Sequence, residues 1–79
     1  MIVLKDVLAD IARAIVDQPD AVSVTEQKKD NGEILLTLKV APEDMGMVIG
    51  RHGRIAKSIR LIMKAAATSA GEKVTVEIE

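Results

Sequence analysis

Apolar residues recur at helical spacing along residues 3–15, at Val3, Leu4, Val7, Leu8, Ile11 and Ile15, while Lys5, Asp6, Asp10, Arg13 and Asp17 fall mostly elsewhere around the turn. This period predicts an amphipathic helix that ends at Gln18-Pro19. Val22 and Val24 then alternate with Ser23 and Thr25, as in a short half-buried strand. Asp30-Asn31-Gly32 follows, and Asn-Gly is the preferred pair for a tight type I′ hairpin turn, whose two central residues both need positive φ. Beyond it, Ile34, Leu36, Leu38 and Val40 share one face and Leu35, Thr37 and Lys39 the other, which predicts a second strand. Pro42 with Glu43 and Asp44 marks a helix start, since proline suits the first turn and carboxylates its positive end. Gly50 and Gly53 keep that helix short. A third helix is expected over 53–69, with Ile55, Ile59, Ile62 and Ala66 as its core stripe and Arg54, Lys57, Arg60 and Lys64 on the opposite arc. Gly71 closes it, and Val74, Val76 and Ile78 alternate with Thr75, Glu77 and Glu79 in a last strand.

The order α-β-β-α-α-β predicts an α+β fold, a two-layer sandwich with three helices on one face of a three-stranded sheet. No linker, repeat or low-complexity stretch interrupts the 79 residues, so residues 1–79 are expected to form one domain. Apolar residues make up 48% of the chain, enough for a packed core rather than disorder. There is no cysteine, which removes disulfides and thiolate metal sites. Lys5, Asp6 and Asp10 break the apolar N-terminus too early for a signal peptide, and no apolar run approaches the ~20 residues of a membrane span. A cytoplasmic protein with no membrane partner is expected.

Charge changes the picture more than its near-neutral total of −1 implies. Between Met45 and Gly71 there is no Asp or Glu, while Arg51, Arg54, Lys57, Arg60 and Lys64 together carry +5. The rest of the chain holds six basic and twelve acidic side chains. Such a segment suits a polyanionic partner, although a solvated helix face carries Lys and Arg just as readily.

Within that segment, Gly50-Arg51-His52-Gly53 sits between two helical stretches with apolar faces. Glycines permit a tight turn and a close approach of a phosphodiester to the main chain. Amides near Gly53 and Arg54, at the start of the following helix, are expected to point toward that anion, aided by the helix dipole. A plain helix–turn–helix corner also favours glycine, so the spacing alone does not decide. The wider run does more. Met47-Val48-Ile49-Gly50-Arg51-His52-Gly53-Arg54-Ile55-Ala56 resembles the KH-domain signature V-I-G-x-x-G-x-x-I, matching it at Val48, Ile49, Gly50 and Gly53. The signature's last apolar position falls on Ala56, a looser match flanked by Ile55 and Ile59. The element order resembles the bacterial, type II KH arrangement, and the size resembles the short stand-alone KH proteins of the KhpA group.

The resemblance implies a non-catalytic protein that clamps the backbone of single-stranded RNA, about four nucleotides long, with its G-x-x-G loop. Carried onto this chain, Gly50, Arg51, His52 and Gly53 hold phosphates, with Arg54 and Lys57 adding charge beside them. Ile49 and Ile55 form an apolar floor for bases. The second strand, at Leu36, Leu38 or their neighbours, forms the opposite wall. The resemblance also implies an RNA chaperone or post-transcriptional regulator that forms homodimers and partners a second, larger KH-containing protein. Leu61, beside Ala65 and Thr68, is the expected contact between two third helices.

Other chemistries find little support. His52 is the one histidine, with neither a metal-ligating partner nor a nucleophile at catalytic spacing, so no catalytic residue, metal or cofactor is expected. Ala56 stands where a P-loop needs glycine before Lys57-Ser58. The chain has no Phe, Tyr or Trp, which argues against RNA readout on aromatic platforms and predicts weak, salt-sensitive binding by one copy. Single-stranded DNA, and a protein adaptor that keeps only the KH shape, remain the alternatives.

Overall fold

Leu4, Leu8, Ala9 and Ala12 lie buried along one side of helix α1, Leu4–Ile15, in a computed structural model that describes residues 3–79. Val7, Ile11 and Ile15 pack partly against the same core. A 3-10 turn, Pro19–Ala21, then leads into strand β1, Ser23–Lys28. β1 runs antiparallel to β2, Ile34–Lys39, with Val24 opposite Leu38 and Lys28 opposite Ile34. The strand outruns the alternation that predicts it. Glu26, Gln27 and Lys28 are exposed, yet each pairs with a β2 residue, so the partner strand rather than the local pattern extends β1.

The hairpin reverses at Asp30-Asn31-Gly32, but not as a type I′ turn. Gly32 has φ 86°, whereas Asn31 is not at positive φ. The Gly32 amide donates to the Lys29 carbonyl at 2.9 Å and the Lys29 amide to the Glu33 carbonyl at 2.8 Å. This is a turn followed by a left-handed glycine, a longer hairpin connection in which only glycine needs positive φ. Asn31 serves otherwise: its Oδ1 accepts the Glu33 amide at 2.9 Å.

Pro42 does open a helical turn, the 3-10 stretch Pro42–Asp44 that runs into α2, Met45–Ile49. Asp44 makes no side-chain cap to α2. It is 1% exposed and its Oδ2 accepts the Gln18 backbone amide at 3.0 Å, tying the segment after α1 to the start of α2. Helix α3, Arg54–Ser69, buries Ala56, Ile59, Met63 and Ala67. That corrects the expected stripe: Ile59 is core, but Ile55 is 37% and Ile62 49% exposed, with Ala66 only half-buried. Small Ala56 and Ala67 let the helix settle close to the sheet, and the large isoleucines are turned off that axis. The helix ends on Gly71, φ 74°, with the Gly71 amide donating to Thr68 O at 3.1 Å and the Glu72 amide to Ala67 O at 2.8 Å. These are the paired bonds of a Schellman closure.

Strand β3, Val74–Ile78, pairs with β2 in parallel, Val76 opposite Leu36. The sheet order β1-β2-β3 therefore puts β2 in the centre, where Leu36 and Leu38 are fully buried. All three helices cover one sheet face, and the buried cluster draws on every helix and strand. The α2–loop–α3 segment is the crossover between the two parallel strands, so both ends of the glycine loop are anchored in packed elements.

Candidate nucleic-acid interface

Between α2 and α3 the backbone makes an abrupt bend. Gly50 has φ 75° and ψ 173°, His52 φ 59° and ψ 24°, and Gly53 φ 73° and ψ 16°. Three of the four loop residues thus sit at positive φ, where side chains with a Cβ are disfavoured. The two glycines are needed for different reasons. A Cβ on Gly50 would stand 2.6 Å from Ile55 Cγ1, whereas one on Gly53 would meet nothing within 4 Å. Ile55 therefore supports the loop from beneath Gly50 while remaining partly open to solvent.

The bend carries its side chains outward. Arg51, His52, Arg54 and Lys57 are exposed, and Gly50 and Gly53 are half-buried. The loop's own amides behave differently from expectation. The Gly53 amide donates to Gly50 O at 3.2 Å, and the Arg54 amide to Arg51 O. These two donors close the turn instead of facing an incoming anion, because the left-handed residues fold the chain back within one turn. Any attraction for an anion at this bend would have to come from side chains, the cations Arg51 and Arg54 first, rather than from these two amides.

Those cations are free to act. Among the described residues the one ion pair within 4.0 Å joins Arg13 to Asp10 at 3.6 Å, on α1. Arg51, Arg54, Lys57, Arg60 and Lys64 all lie exposed with no carboxylate partner. An uncompensated run of one sign raises the local potential that an anionic strand meets. No group of three His, Asp or Glu side chains among the described residues converges as a metal ligand set.

The apolar neighbours divide between two places. Met47 and Ile49, on α2, are 37% and 39% exposed near the loop, as is Ile55 at its far side. Leu61 is 68% exposed, with Ile62 and Ala65 beside it on the outward side of α3. Leu36 and Leu38 cannot wall an open groove, being fully buried on the central strand. The strand packed against α3 is β3. There the sequence reading missed a residue: Arg60 Nε donates to the Val76 carbonyl at 3.3 Å. Its position among the basic residues was legible, but its partner depends on a parallel pairing that no local pattern announces. Two surface depressions lie around the C-terminal end of α3, one lined by residues such as Leu4, Glu26, Ser69 and Glu72 and the other by residues such as Lys64, Thr68 and Lys73.

Comparison with known proteins bears on this arrangement. The family model described as KhpA/KhpB, KH domain, matches residues 5–78. The chain is 53% identical to the RNA-binding protein KhpA of Clostridium acetobutylicum over 75 residues, 95% of this chain and 99% of that one. It is 51% identical to the protein of the same name in Clostridium perfringens, with the same coverage, and 38% identical to that of Aquifex aeolicus over 78 residues, 99% of this chain and 98% of that one. Among solved structures, it is similar in fold to Era in complex with MgGDPNP and nucleotides 1506–1542 of 16S ribosomal RNA, with a TM-score of 0.63 at 16% identity. That match covers 95% of this chain but 28% of Era, and it establishes a shared KH-like fold.

Proposed function

Because the chain belongs to the KhpA/KhpB KH-domain family, we propose that it is a non-catalytic RNA-binding protein whose Gly50–Gly53 loop grips the backbone of a single strand. The observation that carries this reading is the exposed left-handed loop, with Arg51 in it, Arg54 and Lys57 beside it, and Arg60 and Lys64 farther along α3, none paired with a carboxylate among the described residues. Arg51, His52, Arg54 and Lys57 contact phosphates, and Gly50 and Gly53 let the strand come close. Ile49 and Ile55 give the loop an apolar border against which bases lie. Phosphate contacts position a strand without reading it, so binding is sequence-tolerant and weakens steeply with salt. Such a module acts as an RNA chaperone or post-transcriptional regulator.

One copy offers a short contact and no aromatic platform, which favours action in pairs. Leu61, Ile62 and Ala65 form an outward apolar strip on α3 suited to a second copy of the chain, or to the KH domain of a larger partner. Leu61→Glu is expected to convert a dimer into a monomer in light scattering; an unchanged mass rejects this face.

The loop itself is tested by Arg51→Asp combined with His52→Asp. Aspartate tolerates the left-handed backbone that His52 adopts, so the fold should persist by circular dichroism. Affinity for a labelled single-stranded RNA, read by fluorescence anisotropy, should fall about 100-fold, since two attractions become repulsions. Unchanged affinity at matched salt removes the backbone grip from consideration. A strand of the same sequence in DNA, titrated alongside, reports whether the 2′-hydroxyl matters.

A further inference from the structure

The sheet has two edges, and α3 with its basic residues packs on the β3 side, while α1 packs on β1 at the other. The β1 edge is open. The Lys29 amide donates to Glu33 O at 2.8 Å, which makes 29 and 33 a hydrogen-bonded pair of the hairpin ladder. Such pairs alternate along antiparallel strands. Residues 23, 25 and 27 therefore turn their main-chain groups to β2, and Val24, Glu26 and Lys28 turn theirs outward. No turn or loop hydrogen bond among the described residues reaches those outward groups.

Proteins commonly blunt a free edge with proline, a bulge or a covering segment. Strand β1 has neither proline nor glycine, and its register with β2 is unbroken over Ser23–Lys28. It carries two charges instead. Glu26 and Lys28 lie on the same side of the strand as buried Val24, both are exposed, and neither joins an ion pair among the described residues. The helical layer leaves room beside them, in the depression lined by Val3, Leu4, Glu26 and Ile34.

Opposite charges two positions apart make this edge its own complement. When a second copy lies antiparallel about a two-fold axis through Gln27, Glu26 meets Lys28 of the second copy, and Lys28 meets its Glu26. Both residues belong to the outward set, so each opposed pair also exchanges main-chain hydrogen bonds. Moving the axis by one residue sets Glu26 against Glu26 or Lys28 against Lys28, which opposes like charges. We propose that β1 is a self-association edge, through which two copies pair antiparallel about Gln27 and extend their sheets into one. The inference is independent of the loop reading, and it leaves both glycine loops unobstructed. Together with a two-fold contact on α3, it strings copies into an open row.

Exposed ion pairs and a short ladder hold such a pair weakly, so the test captures it covalently. The chain has no cysteine, and one introduced thiol therefore reports one position. Across the axis the two Gln27 Cα atoms stand about 4.5 Å apart, within disulfide reach, whereas Thr25 and its copy are about 13 Å apart. With oxidised glutathione, Gln27→Cys should yield a disulfide-linked dimer about tenfold faster than Thr25→Cys on a non-reducing gel. Adding Glu26→Lys, or adding Lys28→Glu, to Gln27→Cys should slow the crosslink several-fold, because like charges then face each other. Mixing those two double variants should restore it, as heterodimers. In the Leu61→Glu background the crosslink should persist. Circular dichroism verifies that each variant is folded. Equal rates for Gln27→Cys and Thr25→Cys mean random collision and overturn the proposal. So does a charge variant that crosslinks like its parent, a mixture that fails to recover, or a crosslink lost with Leu61→Glu.

Discussion

The hairpin tip and the α2–α3 loop both depend on glycine at positive φ, and they have little else in common. At the hairpin tip, Gly32 completes a reversal whose polar groups are satisfied locally, by Lys29, Glu33 and the Asn31 side chain. Charges there are mixed, with Lys28, Lys29, Asp30 and Glu33 in close sequence. A Cβ at Gly32 would meet nothing within 4 Å. Between α2 and α3 the chain places Gly50, His52 and Gly53 all at positive φ, presses Gly50 onto Ile55, and surrounds the bend with cations only. Glycine at the first turn serves the path of the chain. At the second it serves proximity, of main chain to Ile55 on one side and of solvent-borne groups to main chain on the other. A glycine motif therefore becomes a candidate site through what surrounds it.

Substitutions at the glycines separate these roles. Gly50→Ala should have the largest effect, about 2–3 kcal/mol lost in denaturant unfolding, because an unfavourable φ and a 2.6 Å approach to Ile55 must both be relieved. A loss below about 1 kcal/mol would mean that Ile55 yields easily, and the tight packing beneath the loop would have to be discounted. Gly53→Ala and Gly32→Ala meet no neighbour and should each cost about 1 kcal/mol, from backbone strain alone. Their consequences for RNA should differ: Gly53→Ala weakens binding several-fold by obstructing the strand, and Gly32→Ala leaves it unchanged. Equal effects of the two on affinity would erase the distinction drawn here.

The smallest effect belongs to the hairpin end. Glu33 is held below the ordinary carboxylate range, first by the hydrogen bond from the Thr75 hydroxyl and then by Lys29 and Lys73. A carboxylate lowered on folding adds stability above its unfolded pKa of about 4.3, and that contribution fades as pH falls through the folded value. Thr75→Val should therefore melt slightly below wild type at neutral pH, with the gap closing in acid. A gap that does not narrow below about pH 4 would assign the difference to packing.

How legible was all this in the residues? The order of elements was, because each strand and helix shows its own period; Leu36 and Leu38 alternate plainly and are fully buried. The orientation of α3 was not. Ile55, Ile59 and Ile62 make one apolar stripe and Ala56, Ile59, Met63 and Ala67 another, both at helical spacing. Choosing between them depends on how near the sheet lies, and small residues at 56 and 67 allow the closer contact. The loop's location and its exposed cations were readable from Gly50, Gly53 and the absence of acids. The capture of the Gly53 and Arg54 amides inside the turn was not, since it follows from backbone angles that neither residue's identity dictates. Likewise Arg60 could be seen as basic, but not as tied to Val76 across 16 residues.

The parallel pairing of β2 with β3 has a consequence for when the protein becomes competent. Leu36 and Val76 lie 40 positions apart and the glycine loop falls between them, so the last strand must arrive before the crossover is held at both ends. Closing a chain segment of that length opposes assembly by about 3 kcal/mol, offset only once β3 docks and buries Val76. Deleting the final six residues should then silence RNA binding without removing one loop atom. During synthesis, too, the loop residues emerge well before they can work, and the C-terminal strand acts as the latch that turns a finished sequence into a functioning surface.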